Sequence, residues 1–244
     1  MELAGRIALV TGGAKRVGRS VALALARRGA HVAFTYQTSR QEAKALVREL
    51  TALGGKSLAV KADLRRAADA KGAVRAVVKN YGRIDVLVNN AAIYPRTPWA
   101  SLDEKAWDEI LTTNLRGPFL FAKAAGDRML KQGCGKIVNL ADWAGERPYK
   151  DYLPYCISKA GVIAMTKALA LELAPTVQVN AVAPGPVLLP KDITAAGRRV
   201  VIAATPLRRI GSPDDIANAV VFLLEGSDFI TGVLLPVDGG RLIA

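Results

Sequence analysis

Tyr155 and Lys159 stand four residues apart in Tyr155-Cys156-Ile157-Ser158-Lys159, so on a helix they share one face. A free phenol titrates near 10, too high for easy proton transfer at neutral pH. An ammonium beside it favours the phenolate and lowers that value, which makes the pair a candidate acid for protonating a reduced centre. Thirteen residues before Tyr155 stands Asp142. Protonated, its carboxyl can donate a hydrogen bond to a developing oxyanion; ionised, it repels one. On its own a tyrosine–lysine pair is an ordinary helix tyrosine with a solvated lysine, and the surrounding motifs decide between the two readings.

A second stretch able to do chemistry is Thr11-Gly12-Gly13-Ala14-Lys15-Arg16-Val17-Gly18. Glycines let a backbone approach a pyrophosphate, and the N-terminus of the following helix offers free N–H groups and partial positive charge. A plain strand–helix connection can also be glycine-rich, but this turn directly follows an N-terminal strand, as a nucleotide-binding turn does. At the end of the second strand lies Tyr36-Gln37-Thr38-Ser39-Arg40, and no acid appears from Arg27 until Glu42. An acid there would hold the ribose hydroxyls of NAD, whereas Ser39 and Arg40 attract the 2′-phosphate of NADP. NADPH is therefore the expected cofactor. Thr38 and Ser39 also read as caps of the next helix, a role compatible with phosphate binding.

The elements that position these groups alternate short apolar runs with helix-period segments. Strands are expected at residues 7–10, 32–35, 57–61, 86–89, 136–140, 177–181 and 233–237, with helical patterns near 20–28, 41–52, 67–80 and 104–130. Such alternation implies an α/β chain: one doubly wound, Rossmann-type parallel sheet with helices on both faces, as a single domain over residues 1–244. Half of the 244 residues are hydrophobic (51%), enough for a sizeable core. The N-terminal stretch carries Glu2 and Arg6 and has no signal-peptide run, and no apolar stretch reaches the length of a membrane helix. With only Cys134 and Cys156 there is no disulfide framework, so a cytoplasmic protein is expected. The net charge of +13 comes from basic residues scattered over many segments, which argues against nucleic acid and for anionic small molecules. No cluster has metal-ligand spacing. His31 reads as structural, and Cys156 has no evident base beside it.

Taken together, these motifs resemble the short-chain dehydrogenase/reductase family over nearly the whole chain. Tyr155 and Lys159 match its active-site Tyr-x-x-x-Lys, and residues 11–18 its Thr-Gly-x-x-x-Gly-x-Gly turn, with Arg16 in place of the middle glycine. The resemblance implies that Lys159 also holds the nicotinamide ribose, that Asp63 contacts the adenine, and that Asn114 holds a water in the proton relay. It also implies that Pro184-Gly185 lines the nicotinamide. Asn89-Asn90-Ala91-Ala92 resembles the family's Asn-Asn-Ala-Gly, and Gly211 to Ile216 and Val237-Asp238-Gly239-Gly240 complete the pattern. The implied cofactor contacts are Gly12, Lys15, Arg16, Val17, Gly18, Thr38, Ser39, Arg40, Asp63, Asn90, Tyr155, Lys159, Pro184 and Gly185.

Asp142 occupies the place where the family usually has a serine that steadies a substrate carbonyl. An aspartate there, with Arg16 in the turn, is similar to pteridine and dihydromonapterin reductases. That implies hydride transfer to a C=N bond of a dihydropterin or dihydrofolate, where the nitrogen must be protonated. Tyr155 would supply the proton, Lys159 tune it and Asp142 assist, while Arg16 and Tyr94 place the ring. Alternatively Asp142 merely caps a loop and Ser158 takes the serine's part. The alternative activity is reduction of a 3-oxoacyl-acyl carrier protein or another carbonyl; a non-enzymatic nucleotide sensor of the same fold is the third. Trp143 and Tyr149 wall the pocket, or Trp99, Trp107 and Trp143 simply pack. The segment 188–205, with Gly197, Lys191, Arg198 and Arg199, reads as a mobile, positively charged lid. Long helices apolar on more than one face fit the homotetramer that the resemblance implies.

Overall fold

The computed structural model describes residues 1–190 and 193–244. Seven strands form a single sheet: β1 (Ile7–Val10), β2 (His31–Tyr36), β3 (Ser57–Lys61), β4 (Val86–Asn89), β5 (Gly135–Leu140), β6 (Val177–Pro184) and β7 (Leu234–Val237). Their order is β3-β2-β1-β4-β5-β6-β7, and every neighbouring pair is parallel. The central strands β1, β4 and β5 are buried along their whole length, which is why they read in the sequence as largely apolar runs, interrupted only at Asn89, Lys136 and Asn139 within 7–10, 86–89 and 136–140.

Alternation along each strand divides the core in two. From β1 and β4, Ala8, Val10, Val86 and Val88 point to one face, where they meet Val21, Leu25, Phe34, Val220 and Leu224. Ile7, Leu9 and Leu87 point to the other and pack with Val74, Val77, Phe121, Met129 and Ile137. The first face is covered by α1 (Arg16–Arg27), α2 (Arg40–Ala52) and α8 (Pro213–Glu225). The second is covered by α3 (Ala67–Tyr81), α5 (Gly117–Gln132) and α6 (Leu153–Glu172). Each fully buried large side chain, such as Phe34 or Phe121, contributes roughly 2–3 kcal/mol.

The single helical pattern expected over 104–130 is in fact α4 (Glu104–Leu111), a π-helical turn (Thr112–Arg116) and α5 in succession. One wide turn adds a residue without reversing the apolar face, so a periodicity reading passes over it. Helix α8 has a sequence signal of its own: Ser212 and Asp215 form a reciprocal capping box around Pro213 at the first position. Helix α7 (Ala195–Ala203) fills part of the expected lid. Among the described residues no helix is long and apolar enough to cross a membrane.

Candidate active site

The strand order reverses direction between β1 and β4, and in an open α/β sheet ligands bind beyond the carboxyl ends of the strands at such a point. Thr11 and Asn90 join the two strand ends there. Thr11 Oγ1 accepts from the N–H groups of Asn90 (3.0 Å) and Ala91 (3.1 Å), and Asn90 Nδ2 donates to Thr11 O (2.8 Å) and Gly12 O (3.2 Å). At Gly18 a Cβ would stand 2.4 Å from Gly12 O and 2.5 Å from Asn90 Nδ2, so only glycine lets α1 start this close to the turn. Gly12 has φ +63°. Arg16, where the resemblance places the family's middle glycine, holds a left-handed φ of +54°, which is strained for a residue with a side chain. Two cavities open from this turn, both bordered by Gly12 and Ala91. One, of about 630 Å³, runs past Lys15, Arg16, Val17 and Gly18 to Tyr155, Lys159, Pro184 and Gly185. The other, of about 260 Å³, runs past Tyr36 and Gln37 to Asp63. The close glycine approach and the two-armed cleft fit a dinucleotide.

At the smaller cavity the Asp63 carboxylate is held by Arg65, whose Nη2 lies 2.7 Å from Oδ2, so an adenine would meet the two residues as a pair. This guanidinium keeps the Asp63 carboxyl below its usual range. Neither Thr38 nor Ser39 caps α2 with its side chain, in contrast to the capping expectation, and neither hydroxyl has a hydrogen-bond partner among the described residues beside the exposed Arg40. One acid does reach the region. Glu42, in the first turn of α2, comes within 2.6 Å of Lys15 Nζ, and that contact lowers its carboxyl. The separation of 27 positions hid this pair from sequence reasoning.

Helix α6 carries both Tyr155 and Lys159 to the end of the larger cavity. Its first turn begins Leu153-Pro154, with proline where a missing N–H costs nothing. Tyr155 is 6% exposed and Lys159 4%. The Tyr155 hydroxyl donates to Asp142 Oδ2 at 2.8 Å, while Asp142 Oδ1 accepts from the N–H of Ala144 at 2.9 Å. Asp142 therefore caps the short 3-10 turn Trp143–Gly145, as the structural alternative held, and also engages the phenol. Ser158 does not take a serine's part: it is fully buried, and its Oγ donates to Tyr155 O at 2.7 Å, back along its own helix. Lys159 Nζ donates to Leu140 O at 2.8 Å and lies 5.7 Å from the centre of the Tyr155 ring.

Asn114 sits in the π-helical turn, where its side chain grips the backbone of Ile93 from both sides: Oδ1 accepts from Ile93 N and Nδ2 donates to Ile93 O, each at 2.8 Å. A π turn at such a position is a frequent mark of a functional site. The grip fixes the loop after β4 that carries Tyr94.

The electrostatics reverse one expectation. Burial, the Asp142 carboxylate and the neighbouring Tyr149 and Tyr94 push the Tyr155 phenol well above its ordinary value, rather than Lys159 pulling it down. Asp142 still borders the cavity, but its carboxyl lies among protein atoms, and burial raises it against the lowering pull of Ala144 N–H, Lys159 and Tyr155. Burial lowers Lys159 to about 8, opposed by Asp142. The group thus holds a neutral phenol, a carboxyl raised by burial and a lysine near its titration point. Burial raises the Cys156 thiol, which disfavours its thiolate.

Aromatic rings wall the substrate side. Tyr94 stacks on Tyr152 (centroids 4.4 Å, interplanar 8°) and meets Tyr155 edge-on at 4.6 Å, so one of its faces is already covered. Its hydroxyl lies 3.0 Å from that of Tyr149, and Tyr149 packs 5.3 Å from Trp143. Trp143 lines the cavity, whereas Trp99 is 81% exposed and packs in no core. Of the expected lid, Leu188, Leu189, Pro190, Ile193 and Val201 face the cavity. Gly197 is no hinge: it lies in the first turn of α7, its N–H bonded to Thr194 Oγ1 at 3.0 Å. Arg198 and Arg199 are exposed and do not border the cavity, because the helix that turns Val201 inward turns them outward; Lys191 lies outside the described residues. The lid presents an apolar face. Arg241, which sequence reasoning did not single out, does line the cavity. His31 is structural: Nδ1 accepts from Lys56 N at 3.1 Å. Among the described residues no three metal-ligating side chains converge.

Residues 12–241 match the family model described as "Enoyl-(Acyl carrier protein) reductase". The chain is 40% identical over 239 residues to the 3-oxoacyl-[acyl-carrier-protein] reductase FabG of Staphylococcus aureus, covering 96% of both chains. Among solved structures it superposes on a short-chain dehydrogenase/reductase from Serratia marcescens with a TM-score of 0.93 at 34% identity, over 99% of this chain and 100% of that one. A blue fluorescent protein from a metagenomic library, in complex with NADPH, gives a TM-score of 0.92 at 34% identity over 100% of both.

Proposed function

This chain belongs to the short-chain dehydrogenase/reductase family, and on that premise we propose that it is an NADPH-dependent reductase of 3-oxoacyl thioesters. The observation that carries this reading above the pterin one is the 40% identity, across 96% of both chains, to a 3-oxoacyl-[acyl-carrier-protein] reductase. The largely apolar lid and the NADPH held by a structural neighbour support it. In this reading Gly12, Lys15, Arg16, Val17, Gly18 and Asn90 hold the pyrophosphate side of the cofactor, and Asp63 the adenine. Thr38, Ser39 and Arg40, with Lys15, receive the 2′-phosphate; Pro184, Gly185 and Lys159 receive the nicotinamide nucleoside. NADPH bound there supplies the hydride.

The chain's own residues handle the proton. As the carbonyl carbon is reduced, its oxygen gains charge and takes the Tyr155 hydroxyl proton. With Asp142 neutral, its carboxyl donates to the Tyr155 oxygen and frees the phenol proton for the substrate, much as a serine hydroxyl would serve. Ionised, Asp142 draws that proton toward itself and repels the oxyanion. Burial raises the Asp142 carboxyl and so widens the pH range over which it is neutral and favours ketone reduction. Asn114 acts as a positioning residue, through Ile93 and the Tyr94 loop.

A second reading, reduction of a dihydropterin C=N bond, is favoured by the Asp142–Tyr155 hydrogen bond, since a basic nitrogen accepts a proton from either group. Steady-state NADPH oxidation with acetoacetyl thioester and dihydrobiopterin in parallel, for the wild type and Asp142→Ser, separates the two. Thioester turnover that survives or rises in Asp142→Ser supports the ketoacyl reading. Pterin turnover alone, lost in the variant, replaces it. The homotetramer expected from the sequence would bury Phe119, Leu130, Leu153 and Ile157, which α5 and α6 leave 39–45% exposed.

A further inference from the structure

The chain's last turn delivers to the cavity a cation that neither the cofactor nor the proton transfer uses. After β7, Asp238 folds the backbone back on itself: Oδ1 accepts from Gly240 N at 2.9 Å and Oδ2 from Leu242 N at 2.7 Å. Gly239 (φ +66°) and Gly240 (φ +89°) take the left-handed conformations this requires. Arg241, carried on that turn, stacks its guanidinium over Trp143 at 4.9 Å and donates from Nη1 to Ala204 O at 2.7 Å. Its carbonyl is held by Arg147 Nη1 at 2.9 Å. The group is thus fixed between the end of α7 and the indole next to Asp142.

Arg241 Nε is shut off from the cavity by protein atoms, whereas Nη2 is not and makes no hydrogen bond among the described residues. Of the cations bordering the cavity, Lys15 is paired with Glu42, Arg16 belongs to the cofactor turn and Lys159 is bonded to Leu140 O. Asp142, the one acid bordering it among the described residues, is bonded to Tyr155 and Ala144. The rest of the wall there is aromatic and aliphatic: Tyr94, Tyr149, Tyr152, Ile193 and Val201. A guanidinium clamped through Nη1, stacked on an indole and lining an otherwise apolar cavity with Nη2 uncommitted among the described residues is suited to a carboxylate, which can take parallel hydrogen bonds from Nη1 and Nη2.

We propose that Arg241 is a specificity-determining residue that receives a carboxylate at the far end of the acyl chain, so that the substrates are 3-oxoacyl thioesters bearing a second, free carboxylate. The inference rests on the thioester reading of the site and narrows it. A donor left unpaired in a buried site penalises the analogue that lacks the partner group.

The test compares two six-carbon 3-oxoacyl thioesters, one ending in a carboxylate and one in a methyl group, with wild type, Arg241→Lys and Arg241→Met. In the wild type kcat/KM should favour the carboxylate by roughly 10- to 100-fold. Arg241→Met should erase that preference by raising KM for the carboxylate substrate alone, and Arg241→Lys should keep part of it. Equal turnover of both by the wild type, or an equal loss on both in Arg241→Met, overturns the proposal and leaves Arg241 as a structural clamp.

A second measurement does not need turnover. Adipate, its uncharged diamide and inorganic phosphate are titrated into the NADPH-loaded protein carrying Trp99→Phe and Trp107→Phe, which leaves Trp143, under the guanidinium, as the only tryptophan whose fluorescence is followed. Adipate alone should give a saturable change, absent in Arg241→Met. If neither thioester is reduced yet adipate gives that response, the anion site stands and the thioester reading fails. No response to adipate, or an equal one to phosphate, overturns the carboxylate site.

Discussion

Replacing Asp142 by serine should change how the reaction responds to pH more than how fast it runs at its optimum. Asp142 Oδ2 lies 2.8 Å from the Tyr155 hydroxyl, and a substrate oxygen accepting from the same hydroxyl lies about as far on the other side. The ionised carboxylate and the developing oxyanion are then roughly 5 Å apart, and at an effective dielectric constant of about 20 their repulsion is about 3 kcal/mol. That is around a hundredfold in rate. The Asp142 carboxyl is raised by burial, so it loses its proton at a higher pH than an exposed aspartate does. For the wild type, kcat/KM on a 3-oxoacyl thioester should therefore descend toward a plateau about a hundredfold lower as pH rises through that value. Asp142→Ser has no such carboxylate and should lack the step. Lys159 titrates near 8 in the wild type and lower in Asp142→Ser, which loses the carboxylate that opposed its lowering, so the hundredfold step rather than a shifted midpoint marks Asp142. Superposable profiles would refute the argument.

Three further outcomes follow from the geometry. Glu42→Gln frees Lys15 for the 2′-phosphate, so NADPH should bind more tightly while NADH affinity is unchanged, as read by fluorescence titration of the two cofactors. Gly18→Ala forces a Cβ to 2.4 Å from Gly12 O, costing about 1–3 kcal/mol; NADPH affinity should fall and melting temperature drop, and a variant binding NADPH normally would contradict the close approach. Lys159 titrates at about 8 rather than 10.5, so its buried charge costs about 3 kcal/mol at neutral pH, a penalty that fades as pH rises through 8 toward 10.5. Lys159→Met should thus be inactive yet melt above the wild type at pH 7, with the gap closing by pH 10; an unchanged gap would contradict it.

Most of the fold was legible because the information is local. The runs at 7–10, 86–89 and 136–140 are mostly apolar, broken only by Asn89, Lys136 and Asn139, since those strands are buried on both faces. Tyr155 and Lys159 were legible because four residues is a helical repeat. What escaped depends on contacts between distant segments. Nothing near Glu42 says that α2 brings it to Lys15, and nothing near Arg241 says that the last turn lays it over Trp143. The direction of the Tyr155 shift was misread for the same reason. Lysine four residues on is visible in the sequence, whereas burial and the ring cluster of Tyr94 and Tyr149 arise from folding. The π-helical turn at Asn114 escaped because an extra residue in one turn barely disturbs a hydrophobic stripe. The capping box of α8, by contrast, was present in Ser212-Pro213-Asp214-Asp215 and could have been read.

The most direct test of the account follows one atom. NADPH carrying deuterium at both positions of the reactive nicotinamide carbon is incubated with the protein and a 3-oxoacyl thioester, and the product is analysed by mass spectrometry. The account predicts a 3-hydroxyacyl thioester carrying a single deuterium on the former carbonyl carbon, with Tyr155→Phe forming it at least about a hundredfold more slowly. Deuterium appearing only in a dihydropterin offered alongside, or equal label transfer by Tyr155→Phe, would contradict it.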